Sequence, residues 1–447
     1  MKRLPALAVA AFRQARRPGR RVRTLFRVAV FVAIFCILEP ILYALRHRVP
    51  RPPHDLDAPF STQCQDPRAA ASQPREKAAF VMLVRNEELD EARQTIQNIE
   101  AKFNRWFNYP VVFLNDEPWD PEFVQKLNES VSGGAAFELI PKQDWSYPPW
   151  IDENEAKKSF ARQGKQGVWN GGKESYHHMC RFYSGKFYSL DALKPYKWYW
   201  RLEPGVRYTC SITYDPFVEM ARRGKTYGFA VALWEEPNTC PGLFRAVDDF
   251  RVQHRIPATP TWNALIDTET WQPWPVRKLL GLLGAAHRTR GGDRWNLCHY
   301  WSNFEIADLD FFRGAAYQSL FDHLDRRGGF YHERWGDAPV HSLALHLLLP
   351  PGSLHHFADF GYHHEPFFQC PGNAPGGQLP GNEALGDGAW SAETAGAIGC
   401  RCRCADQRRR NNRGICLNTM QAPAAFHRPS WSDLRKGRYP YTINIPG

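Results

Sequence analysis

The sequence predicts an α/β fold built on a doubly wound sheet, preceded by a membrane-spanning helix. Three observations carry this. Residues 78–84 (AAFVMLV) form a short continuous apolar run, the pattern of a strand buried on both faces. Leu89, Ala92, Ile96, Ile99 and Phe103 then recur at helical spacing with polar residues between them. Residues 109–114 (YPVVFL) supply the next strand. Strand, helix, strand is a βαβ opening, and such openings belong to doubly wound sheets.

The helix in front is read from charge and hydropathy. The formal net charge is +11 over 447 residues. Residues 1–60 hold twelve Lys/Arg against three acids, so nine of the eleven net charges sit there. The remainder is nearly neutral, which argues against a basic nucleic-acid face. Residues 24–45 (TLFRVAVFVAIFCILEPILYAL) are apolar enough and long enough to cross a bilayer. Eight basic residues precede the run and three follow closely, which favours a cytoplasmic N-terminus. No small-residue cleavage site follows the run, so it reads as a signal anchor and not as a cleaved peptide. The predicted organisation is a cytoplasmic tail at 1–23, the anchor at 24–45, a Pro-, Ala-, Gln- and Arg-rich stem at 46–77, and one lumenal catalytic unit at 78–447.

Cys36 lies in the span, leaving ten of eleven cysteines for an oxidising lumen. Cys400, Cys402 and Cys404, with Cys416, do not match the C-x2-C spacing of zinc modules, and no His completes them. Disulfides are expected, with no pairing derivable from the sequence. Asn128-Glu129-Ser130 is one glycosylation sequon.

Further elements follow. Residues 196–202 (YKWYWRL) read as a strand ending in Glu203-Pro204-Gly205. Residues 227–233 (YGFAVAL) read as another, followed by Trp234-Glu235-Glu236. A helix is expected from Ala338, a strand over 357–362, and a Gly/Pro/Ala-rich loop over 372–398. No G-x-G-x-x-G and no Walker A follow the first strand, which disfavours dinucleotide oxidoreductases and P-loop enzymes. Ligands bind at the carboxyl ends of strands in such sheets. Arg85 and Asn86 lie at one such end, where a nucleotide is expected.

Sugar transfer from a nucleotide diphosphate needs the departing charge neutralised. A hard cation held by few protein ligands does this, with phosphate oxygens completing its shell. Glu203 is a candidate ligand or a surface acid paired with Arg201 or Arg207. His363 and His364 are turn histidines or ligands. Glu305, set among aromatic and apolar residues, is either buried and partnered or functional. Tyr176 is a packed aromatic or a site hydroxyl, and Asp337 a helix cap or a site acid.

Several long stretches then match a known pattern: YPVVFLNDEPWD, SYHHMCRFYSGKFYSLDALKPYKWYWRLEPGVRYTC, WNLCHYWSNFEIADLDFFR, GGFYHERWGDAPVHSLALHLLL and HHFADFGYHHEPFFQCP. With them, the chain resembles the fungal α-1,2-mannosyltransferases of glycosyltransferase family 15, over residues 78 to 371. The resemblance implies a GT-A-like fold with a mixed central sheet, a GDP-mannose donor, Mn2+, retention of anomeric configuration and a type II topology in the Golgi or ER membrane. It implies mannose-terminated glycoproteins as acceptors. Carried over by motif, Glu203 and His364 are the metal ligands, and Arg85, Asn86 and Glu203 hold the nucleotide. Glu305 is the candidate nucleophile, or a charge that stabilises an oxocarbenium ion. Tyr176 is the acid/base or acceptor-positioning hydroxyl, and Asp337 a further site acid. Two competing readings are a non-catalytic lumenal mannan-binding protein and a glycoside hydrolase, the latter needing no metal beside a nucleotide. Residues 251–292 exceed the family pattern, as a lid, an acceptor-specific loop or a disordered insertion.

Overall fold

A computed structural model describes residues 20–47, 59–61, 64–350, 352–369, 371, 399–402, 416 and 420. The strands are β1 Ala78–Leu83, β2 Val111–Asn115, β3 Ala135–Leu139, β4 Trp198–Leu202, β5 Arg207–Tyr208, β6 Tyr227–Phe229, β7 Ala232–Trp234, β8 Cys298–Tyr300, β9 Glu305–Asp308, β10 Leu354–His356, β11 Tyr362–His364 and β12 Phe367–Gln369. Seven form the central sheet in the order β10-β6-β9-β4-β1-β2-β3. β1 runs parallel to β2 and β4, whereas β9 runs antiparallel to β4 and β6. The sheet is therefore mixed.

The predicted βαβ opening is present. Helix Leu89–Ile99 links β1 to β2, burying Ala92, Thr95, Ile96 and Ile99. Alternation along β1 explains the two layers: Ala79 and Val81 join one core, while Phe80 and Met82 join the other. Each face is covered, so the strand needs apolar residues at every position.

The structure revises several expected elements. The 227–233 run is not one strand. It divides at Ala230-Val231 into β6 in the central sheet and β7, which pairs with β8. Residues 357–361 turn instead of forming a strand, and His363 and His364 lie within β11, which pairs with β5 and β12. The helix begins at Asp337, with Gly336 at its N-cap, so Asp337 is not the cap. Part of the expected stem is built into the domain. Phe60 is buried and stacks on His355 at 3.6 Å, and Cys64 bonds to Cys400. The expected loop at 372–398 lies outside the described residues.

Disulfides join Cys64–Cys400, Cys210–Cys402 and Cys298–Cys416. Asn128 of the sequon is exposed at the end of helix Pro121–Asn128. Helix Arg20–His47 contains a stretch, residues 23–47, long and apolar enough to cross a membrane.

Candidate active site

Two chambers open beside the carboxyl ends of β1, β2 and β4. The larger has a volume of about 930 Å³ and the smaller about 570 Å³. Tyr176, Met179 and Glu203 line both. Glu203 is brought there by the end of β4. The chain turns at Gly205, whose φ of +84° suits a residue without Cβ. Thr95 of the crossover helix clamps that turn, donating to the Glu203 and Val206 carbonyls and accepting from Gly205 N–H.

The centre of the site is Arg201, which sequence reasoning considered only as a partner for Glu203. It is 3% exposed. Its guanidinium lies 2.7 Å from Glu203, 2.6 Å from Asp337 and 3.8 Å from Glu305, and stacks 3.5 Å above the Tyr183 ring. One cation faces three carboxylates. A lone Arg inside a buried aromatic strand demands such partners. That is the signal that could have found it.

Both Arg201 contacts to Glu203 fall on Oε1. Burial raises the Glu203 pKa, with Arg201 opposing the rise. For Asp337 burial also works against ionisation. Arg201, His341 and the Ser302 hydroxyl outweigh it, so its pKa falls below the ordinary carboxylate value. Asp337 lines the larger chamber and accepts from Ser302 at 2.8 Å.

Glu305 lines neither chamber. It is fully buried and accepts from Tyr199 at 2.9 Å and Tyr227 at 3.0 Å, with His341 Nδ1 at 3.1 Å. Its connection to the cleft is Arg201. His364 does line the larger chamber and stacks on Trp301 at 5.2 Å. Burial, then His363 and Arg201, push its pKa down to about 4, so the imidazole is neutral near pH 7. Its Nδ1 lies 3.3 Å from the Asn303 amide nitrogen. With that amide turned over, Oδ1 would accept from Nδ1–H and leave Nε2 free as a ligand.

Tyr176 is half-buried, and burial raises its pKa well above the usual phenol value. Its hydroxyl thus stays protonated. Arg85 lines the smaller chamber but is exposed, pairing with Glu87 and Glu88. Asn86 lines neither chamber. Its amide donates to Pro118 O, and its Oδ1 accepts from Asp120 N–H. The structure therefore gathers Glu203, Asp337, His364 and Tyr176 in the larger chamber, keeps Arg85 at the smaller one, and leaves Glu305 and Asn86 outside both.

The charge balance bears on a metal. Glu203, Glu235, Glu236, Asp337 and Glu365 line the larger chamber against Arg201 and Arg334. Glu87, Glu88, Asp116, Glu117 and Glu203 line the smaller against Arg85 and Lys173. Each is acidic, so a diphosphate could settle only with a cation. Among the described residues no three His, Cys, Asp or Glu side chains converge as a complete ligand set. Two buried polar atoms at the larger chamber, His299 Nδ1 and Arg334 Nε, have no hydrogen-bond partner among the described residues. A polar ligand would satisfy them.

Strand ends of an α/β sheet are where such folds bind their ligands, and this carboxylate-lined double chamber suits one that arrives with a cation. The family described as "Glycolipid 2-alpha-mannosyltransferase" matches residues 47–375, and the chain belongs to it. The O-glycoside alpha-1,2-mannosyltransferase homolog 4 of Schizosaccharomyces pombe is 38% identical, over 79% of this chain and 84% of its own. The glycolipid 2-alpha-mannosyltransferase of Saccharomyces cerevisiae is 42% identical, over 70% and 67%. Core-mannan synthase A of Aspergillus fumigatus, solved in a Mn/GDP form, superposes with a TM-score of 0.66 at 32% identity, covering 84% of this chain and 96% of that one. The S. cerevisiae mannosyltransferase Ktr4p in complex with GDP gives 0.66 at 31% identity, covering 85% and 89%.

Proposed function

We propose that this protein is a retaining α-1,2-mannosyltransferase that moves mannose from GDP-mannose onto mannose-terminated glycoprotein glycans. One observation carries the reading: Glu203, Asp337, His364 and Tyr176 converge on one acidic chamber. Family membership and the GDP-bound neighbours supply the donor. Glu203 and His364 would hold Mn2+, which would supply the charge that lets a diphosphate enter. The neutral His364 and the Glu203 oxygen that Arg201 does not engage suit that task.

Arg85 serves the nucleotide from the smaller chamber. During transfer the bond from mannose C1 to the β-phosphate oxygen breaks, its electron pair staying on GDP. The acceptor oxygen bonds C1, and its proton passes to the departing phosphate. Tyr176, kept protonated, orients the acceptor by donating a hydrogen bond. The burial of Glu305 favours same-face attack over a covalent intermediate, with Glu305 and Arg201 together setting the field beneath the sugar. The anchor reading gives a single-pass type II protein of the Golgi or ER with its catalytic domain lumenal.

The test is GDP-mannose turnover by the full chain against a panel of mannose acceptors, with and without Mn2+. Activity should require both the acceptor and the metal. Glu305→Gln should lose at least ~100-fold in kcat, the scale of removing one transition-state group. Near-normal turnover would make Glu305 a structural acid, and binding without any turnover would favour the mannan-binding alternative.

A further inference from the structure

We infer that the segment around helix Trp274–Leu282 is a membrane foot that seats in the lumenal headgroup region beside the anchor helix. The inference rests on the anchor reading above. Outside helix Arg20–His47, eleven large apolar side chains are exposed among the described residues, and six lie between 271 and 283. They are Trp271, Trp274, Val276, Leu279, Leu282 and Leu283, with Trp271 at 82% and Leu283 at 72%. A monomer in water rarely presents so concentrated an apolar surface.

The opposite face of this helix is docked. Arg277 and Gly281, one turn apart, are buried. A Cβ on Gly281 would stand 2.6 Å from the Thr289 carbonyl. Arg277 donates to Glu39 of the anchor helix at 2.6 and 3.0 Å, and Trp274 N–H to the same carboxylate at 2.8 Å. The Arg277 guanidinium also covers the Tyr43 ring at 3.7 Å, and Tyr43 donates to Asp293 at 2.9 Å. Glu39 and Tyr43 are one turn apart on the anchor helix. A span of ~20 residues starting at Thr24 ends near Tyr43, so this contact falls at the membrane boundary.

Composition selects lipid as the occupant. Residues 271–292 contain Arg277, Lys278, Arg288 and Arg290 and no Asp or Glu. Arg277, Arg288 and Arg290 are held by Glu39, Gln272 and Asp249, so the exposed Leu and Trp side chains, with Lys278 alongside and no acid in the segment, match the boundary between acyl chains and headgroups, where Trp concentrates. The segment extends an existing membrane contact instead of starting a separate one. It lines neither chamber, so changes on its exposed face leave the cleft intact.

The test uses the full chain in phosphatidylcholine/phosphatidylserine vesicles containing nitroxide-labelled lipid. One preparation carries a fluorophore on native Cys36, within the span. A second carries it on Leu282→Cys, and a third on exposed Leu139→Cys, both in a Cys36→Ala background that also serves as the blank. Lipid nitroxide should quench the label at position 282 about as strongly as that at Cys36 and several-fold more than that at 139, while aqueous iodide barely reaches it. Quenching at 282 by iodide alone would overturn the proposal. So would protection from both quenchers, which would mean that a second copy or the chain's own C-terminal segment covers the face. If the Cys36 label escapes lipid quenching, the anchor reading fails separately. The foot then stands only if position 282 is still lipid-quenched, and falls otherwise.

Discussion

A single guanidinium organises the cleft. Arg201 is buried among Glu203, Asp337 and Glu305, and removing the guanidinium would leave the enclosed carboxylates without their counter-charge, at a cost of about 3–5 kcal/mol. The sequence exposed the acids through their motifs, but not their common partner, because Arg201 sits in a strand pattern that reads as aromatic core. Tyr176 shows the opposite case: its residue type was legible and its state was not. Burial keeps the phenol protonated, so Tyr176→Phe should cost about tenfold in kcat, the loss of one hydrogen bond. The kcat profile of the parent protein should show no Tyr176 limb between pH 8 and 10. Titration of kcat over that range checks both, and a basic limb abolished by the substitution would show that Tyr176 ionises.

Strand ends decide which side chains enter the cleft. The β1–helix–β2 unit was legible because its periodicities are local and strong. The division of the 227–233 run into β6 and β7 was not. Both halves are equally apolar, and only pairing with different partners, β9 and β8, separates them. Gly228 shows how tightly β6 is enclosed. A Cβ there would lie 2.3 Å from the Phe357 ring. Gly228→Ala should therefore destabilise the protein by about 1–3 kcal/mol through overpacking. Denaturant unfolding measures this, and an unchanged midpoint would show that Phe357 yields without cost. Residues 251–292 stood out in the sequence as longer than the family pattern, but the docking of their helix Trp274–Leu282 beside Glu39 and Tyr43 joins residues more than 200 positions apart.

At the scale of the whole molecule, three disulfides among the described residues bind distant parts of the chain, spanning 336, 192 and 118 positions. Closing loops that long restricts the unfolded chain strongly. Buried histidines set the acid limit. Burial lowers the His346 pKa from 6.5 to about 4, and burial with His363 and Arg201 does the same for His364. Between those pH values the unfolded chain binds protons that the folded chain does not, so stability falls as pH drops from 6.5 to 4. Each histidine accounts for up to ~3 kcal/mol. Thermal melts across that range should show the decline, and His346→Gln should flatten it; an unchanged slope would mean His346 titrates normally. The sequence by itself determined the βαβ opening, the apolar span and the motif acids, because periodicity and composition depend on near neighbours. Only the tertiary structure decided the disulfide pairing, the Arg201 cluster, the enclosure of Glu305 and the placing of Glu203 and His364 on one chamber. Those follow from which strands lie side by side, and that is settled by contacts between residues far apart in the chain.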